Sequence, residues 1–173
     1  MKILNDFQTS VRKALDEIYP NWESELGGLI ICGTHSPHNV EEMIGEIKKV
    51  RESGKPFYGE CFGHQLAAIE YARNVLGIKD ATSEEFGKGT FVVKKRPNLK
   101  VGLHDGESYW NNYEVIPEIL DQWKKADNFI TVQYHPSYQS TKKKPHPVLL
   151  KFIQESKKYT QFHYLDKMAN NYG

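Results

Sequence analysis

Apolar and polar positions follow several different periods along the chain, and each period predicts an element. From Gln8 to Ile18 the spacing predicts a short amphipathic helix. Gly28-Leu29-Ile30-Ile31-Cys32 is a compact apolar run, the pattern of a buried parallel strand. Gly33-Thr34-His35-Ser36-Pro37-His38 breaks it as a loop. Asn39 is then suited to cap a helix running to about Glu52, with Glu42 in the capping-box place and Gly54 as the stop. Pro56-Phe57-Tyr58-Gly59 starts another short strand. After Glu60-Cys61-Phe62-Gly63 the period becomes helical, with Leu66, Ile69, Ala72, Arg73 and Leu76 in step and Gly77 as the stop. Phe91 to Val93, Val101 to Leu103 and Phe129 to Tyr134 read as further strands. Ile116 to Lys124 and Pro147 to Ser156 read as helices. Strand and helix alternate over most of the chain, which predicts an α/β layered sandwich with a mostly parallel sheet. No repeat or linker divides the chain, so residues 1–173 are expected to form a single domain.

Composition narrows the setting. The 173 residues are 39% apolar and 26% charged, as expected of a globular protein with a real core. With 23 basic and 22 acidic side chains, the balance gives no reason to expect a nucleic acid or an anionic membrane as partner. The one dense basic run, Lys142-Lys143-Lys144, reads as a solvated loop. No apolar run approaches the ~20 residues that span a bilayer, and Met1 to Ser10 lacks a signal-peptide pattern. The only cysteines are Cys32 and Cys61, and there is no glycosylation sequon. A reducing cytoplasm, with a reactive cysteine rather than a disulfide, is the expectation.

The candidate chemistry centres on Gly59-x-Cys61-x-Gly63, set between a strand and a helix. A tight strand-to-helix turn needs glycines on both sides of a strained residue and lifts that residue above the sheet. It also places the sulfur at a helix N-terminus, which favours thiolate, and aims the following N–H at a developing oxyanion. A buried structural cysteine after a strand gives the same local pattern, so the rest of the chain has to decide.

Residues Pro56 to Gly77, continuing through Ile78 to Phe86, closely resemble the nucleophile segment of the class I glutamine amidotransferase family, in the form found in the glutaminase domain of CTP synthase. The similarity returns at Tyr113-Glu114-Val115, at Gln133-Tyr134-His135-Pro136-Ser137-Tyr138-Gln139-Ser140 and at Pro145-His146-Pro147. It covers roughly residues 28 to 156, without the synthetase domain. The resemblance implies a flavodoxin-like three-layer sandwich and no cofactor. It implies Cys61 as the nucleophile forming a thioester and His135 as general base, then acid. Gly33 and Phe62 would form the oxyanion hole, and Gln65, Glu85 and Tyr113 would line the substrate site. Glu85 suits an ammonium group.

Several positions depart from the family pattern. The family's His-Pro-Glu reads His135-Pro136-Ser137, leaving a hydroxyl where a carboxylate orients the histidine. The arginine that binds the substrate carboxylate is replaced by Asn112, which loses a charge-assisted fork. The Pro-Gly-Gly-Phe-Gly loop becomes Cys32-Gly33-Thr34-His35-Ser36, so His35 and Ser36 are expected to face the pocket. Glu60 stands where an apolar residue normally precedes the cysteine. It is expected to pair with a nearby Lys or Arg, the alternative being that it orients His135. No ligand spacing supports a metal among Cys32, His35, His38 and His64, and His104 and Asp105 read as loop residues. The function expected is a cysteine amidohydrolase acting on glutamine or a related small amide, with a separate enzyme as ammonia acceptor if ammonia is transferred. The rivals are a catalytically impaired binding or regulatory module and a redox sensor.

Overall fold

The structure is a computed structural model describing residues 1–171. In chain order its elements are β1 (Lys2–Leu4), α1 (Gln8–Ile18), α2 (Trp22–Glu25), β2 (Leu29–Ile31), α3 (Val40–Ser53), β3 (Phe57–Glu60), α4 (Phe62–Asn74), β4 (Ala81–Ser83), a 3-10 turn (Glu84–Phe86), β5 (Thr90–His104), β6 (Glu107–Val115), α5 (Pro117–Gln122), β7 (Phe129–Val132), α6 (Pro136–Gln139) and α7 (Pro147–Asn171). Strands β1-β2-β3-β7 form a parallel four-stranded sheet in that order.

The short apolar runs are buried on both faces, and their period of two divides them between two cores. Leu29, Ile31, Phe57 and Phe129 pack against α3, α4 and Ile119 of α5. Ile30, Cys32, Tyr58 and Ile130 face the other way, against Val11, Ala14 and Leu15 of α1 and Leu149, Phe152 and Ile153 of α7. The result is the expected three-layer α/β sandwich. Between the layers α4 is almost wholly buried, every residue from Phe62 to Ala72 being buried, because the second sheet covers it. That sheet has the order β4-β5-β6. Ala81, Val92, Val93 and Val115 join the core of α4, while Val101 and Leu103 at the hairpin's far end stay exposed.

The differences from the sequence expectations have local causes. The strands expected at Phe91 to Val93 and Val101 to Leu103 are parts of one strand, β5. Its pairing with antiparallel β6 shifts register between Lys95 and Lys100, around Pro97, which has no N–H for the ladder. β6 has no clean apolar alternation, and β1, α2 and α6 are too short to show a period. Asn39 caps α3 in a left-handed conformation without a side-chain bond, so no capping box forms. Helix α7 runs past Ser156 to Asn171, and Phe162 and Leu165 in the added turns are exposed, so no core-facing stripe marked them.

Candidate active site

The elbow forms because two close approaches leave no other choice. Cys61 has φ 55°, ψ -100°, a region that an L-residue enters at a cost of about 1–3 kcal/mol. Its N–H donates to the Val132 carbonyl at 2.9 Å, and its own carbonyl accepts from the Gln65 N–H at 3.2 Å. A Cβ on Gly63 would lie 2.2 Å from the Ile31 carbonyl oxygen, and one on Gly59 would lie 2.8 Å from the Gly63 carbonyl carbon. Only glycines let α4 start this close to β2 and β3. Cys61 is the N-cap of α4, and its thiol lies 3.7 Å from the Trp110 carbonyl and 3.5 Å from the Gln133 side-chain nitrogen. Cys32, by contrast, lies in the sheet core, where burial pushes its thiol far up.

Glu60 does not pair with a lysine or arginine. It follows Tyr58 by two residues on the same face of β3, turned toward α6. There its carboxylate accepts from His135 Nδ1 at 2.9 Å, from the Ser137 hydroxyl at 2.7 Å and from the Tyr58 hydroxyl at 2.5 Å. These three donors satisfy a carboxylate that is only 2% exposed. The reading of Ser137 as the group that meets His135 is therefore corrected. Ser137 bonds Glu60, with Ser10 Oγ 3.2 Å away, and lies behind the carboxylate.

His135 is held on every side but one. Its backbone N–H donates to the Ser108 carbonyl at 2.8 Å, and Tyr138 stacks on its ring at 4.3 Å with an interplanar angle of 5°. Its Nε2 is buried without a hydrogen-bond partner. The ring's Cε1 and the Cys61 Cβ lie 3.6 and 3.8 Å from where a Cβ on Gly33 would sit, so ring and thiol share one end of the cleft. Burial works against an imidazolium here. The sulfur of Cys61 and the carboxylate of Glu60 outweigh it and raise His135 from 6.5 to about 10.

The cleft of about 120 Å³ is lined by Cys61, His135, Gly33, Phe62, His35, Gln65, Glu85, Asn112 and Tyr113, all singled out from the sequence. Ser137 does not line it. Ser36 also stays outside, its N–H bonded to the Thr34 hydroxyl at 3.0 Å. His35 is exposed and packs between the rings of Phe7 and Trp110, at 4.7 and 5.1 Å. Gln65 reaches from α4 to the Tyr113 carbonyl at 2.9 Å and to Gln133 Oε1 at 3.3 Å, tying β6 to the nucleophile helix. Glu85, on the 3-10 turn, has no ion-pair partner among the described residues, and burial lifts its pKa. Sequence reasoning missed Phe7, Trp110, Asn111 and Gln133. Gln133 stands in a segment that carries the family resemblance, whereas nothing in the chain near Phe7 marks it.

A parallel α/β sandwich with a strained cysteine between strand and helix, facing a carboxylate-held histidine, is the framework of a cysteine-nucleophile amidotransferase. Residues 5–124 match the model of the family "Glutamine amidotransferase class-I", and the chain belongs to that family. It is 30% identical over 183 residues to the CTP synthase of Methanoculleus marisnigri, a match covering 78% of this chain and 35% of the relative. It is 29% identical over 199 residues to the CTP synthase of Dictyostelium discoideum, covering 81% and 35%. The chain thus spans about a third of the length of these relatives. Among solved structures, the glutaminase domain of Trypanosoma brucei CTPS with bound acivicin has the same fold, with a TM-score of 0.71 at 20% identity over 91% of this chain and 92% of that one. A putative GMP synthase subunit from Thermoplasma acidophilum gives a TM-score of 0.56 at 17% identity, over 94% and 96%.

Proposed function

We propose that this chain is a cysteine amidohydrolase of the class I glutamine amidotransferase type, cleaving a small primary amide through a Cys61 thioester. One observation carries the reading: Cys61 on its strained elbow shares a cleft with His135, whose far nitrogen is held by a buried carboxylate. An imidazolium beside the sulfur favours thiolate.

In this mechanism the sulfur of Cys61 attacks the amide carbon, and the oxyanion is received by the N–H groups of Gly33 and Phe62. His135 gives its proton to the leaving nitrogen, the C–N bond breaks, and ammonia departs. The neutral imidazole then takes a proton from water, which attacks the thioester and releases the carboxylic acid. Glu60 is a positioning residue that fixes the imidazole's orientation and stabilises its charged form, with Ser137 and Tyr58 steadying Glu60. A partner domain or subunit that accepts the ammonia is part of this reading, as is a reducing cytoplasm that keeps both cysteines free. Among the described residues no helix is long and apolar enough to cross a membrane.

The test is mass spectrometry after treatment with a glutamine-like electrophile, together with ammonia release from amides. Labelling of Cys61 alone, with ammonia release abolished in Cys61→Ala, is expected. Equal labelling of Cys32 and Cys61, or labelling of Cys32 alone, would overturn the assignment.

A further inference from the structure

The cleft's charges are one-sided. Among the described residues its only lining carboxylate is Glu85, which has no cation partner there. Asn111, 4% exposed and lining the same wall, donates its Nδ2 to the Tyr113 carbonyl at 2.9 Å, leaving its Oδ1 buried and without a donor. The Glu85 carboxylate therefore waits for an N–H donor, while Asn111 adds no charge to the wall. Among the described residues no lysine or arginine lines the cleft. The cations of the neighbouring strand are engaged elsewhere or lie outside it. Arg96 is paired with Glu114, Lys100 sits 3.6 Å over the Tyr109 ring, and Lys95, the register partner of Tyr113, is exposed. Asn112, where a carboxylate anchor is expected, is an exposed neutral amide. His135 is committed to Glu60, and His35 is packed between two aromatic rings.

We infer that the substrate is a primary amide that carries an amine but no carboxylate beside it, its ammonium bound by Glu85. The inference rests on the amidohydrolase reading and specifies its substrate class. An ammonium group would supply the missing donors, whereas the carboxylate of free glutamine would enter next to Glu85 with no charge to meet it. The raised pKa of Glu85 fits a carboxylate that lacks its cation until substrate arrives.

The probe is 4-aminobutanamide, which is glutamine without its carboxylate. Glutamine itself and butanamide, which also lacks the amine, serve as controls. Ammonia release by the wild type and calorimetric binding to Cys61→Ala are measured for all three. 4-Aminobutanamide is expected to exceed glutamine by about tenfold or more in kcat/KM and in affinity, the scale of one charged contact. It should exceed butanamide similarly, and Glu85→Gln should erase that second advantage while the variant keeps the wild-type thermal unfolding transition. Stronger or equal binding of glutamine would overturn the inference and place its carboxylate on Lys95 or His35. Equal binding of butanamide, or binding of none of the three, would overturn it as well. Absence of all hydrolysis would defeat the amidohydrolase reading, while the order of binding would still decide the substrate class.

Discussion

The two walls of the cleft are built differently. The nucleophile wall comes from the parallel sheet and the buried start of α4, where Gly59, Cys61 and Gly63 are locked by backbone contacts. The opposite wall comes from β6 and the 3-10 turn, where Asn112 is exposed, Glu85 is only partly covered, and side chains can change without moving a strand. In the proposed mechanism the first wall supplies the groups that cleave the amide. The second carries the neutral Asn112 where the resemblance implies an arginine. Reaction chemistry is tied to a strained frame that tolerates few side chains, whereas recognition is carried by a surface that tolerates many.

The largest effect that could break this contrast is on the nucleophile wall. Glu60→Gln keeps the size but removes the charge that supports His135, so kcat should fall by about 10²–10⁴. The alkaline limb of the pH profile, set by His135 near 10, should move downward. Ser137→Ala should cost far less, because Tyr58 and His135 still bond the carboxylate. Equal losses in the two variants, measured as ammonia release against pH, would return the orienting role to Ser137.

Next is a stability effect on the same wall. His64, in the first turn of α4, bonds Thr131 Oγ1 at 3.0 Å, and burial, with Lys125 nearby, lowers it from 6.5 to about 3. A histidine kept neutral in the folded state gives up stability as pH falls from 6.5 toward 3, because the unfolded chain takes the proton first. The full shift corresponds to roughly 5 kcal/mol. Thermal unfolding at about pH 7 and pH 4.5 should show a drop that His64→Gln reduces. An unchanged drop in the variant would show that His64 carries no such linkage.

The smallest expected effect lies on the recognition wall. Asn112→Arg should raise glutamine turnover relative to 4-aminobutanamide by about tenfold, with Cys61 reactivity unchanged. Adding Ser137→Glu should not help, since it would set a second carboxylate beside the buried Glu60. A gain from Ser137→Glu in steady-state ammonia release would mean that Glu60 does not already fill the role.

Much of this was legible in the chain because the information is local. Helix α1 matches its apolar period at both ends, and Gly59-x-Cys61-x-Gly63 states its backbone needs in five residues. The segments around Cys61, Glu85, Tyr113 and His135 were joined by resemblance, and the structure brings them into one cleft. β6 and the long course of β5 were not legible, since their pairing depends on a partner strand rather than on period.

The sequence by itself determined the strand-to-helix elbow and singled out Cys61, His135 and Asn112, because each is a residue type in a readable motif. Even the face on which Glu60 lies follows from its alternation with Tyr58. What only the tertiary structure decided is what Glu60 meets there. β7 lies beside β3 although about seventy residues separate them, with Glu60 in register with Val132, three residues before His135. That pairing converts a carboxylate expected to seek a lysine into the group that holds the imidazole. A buried charge takes the donors that the fold brings within reach, and no local pattern states which donors those will be.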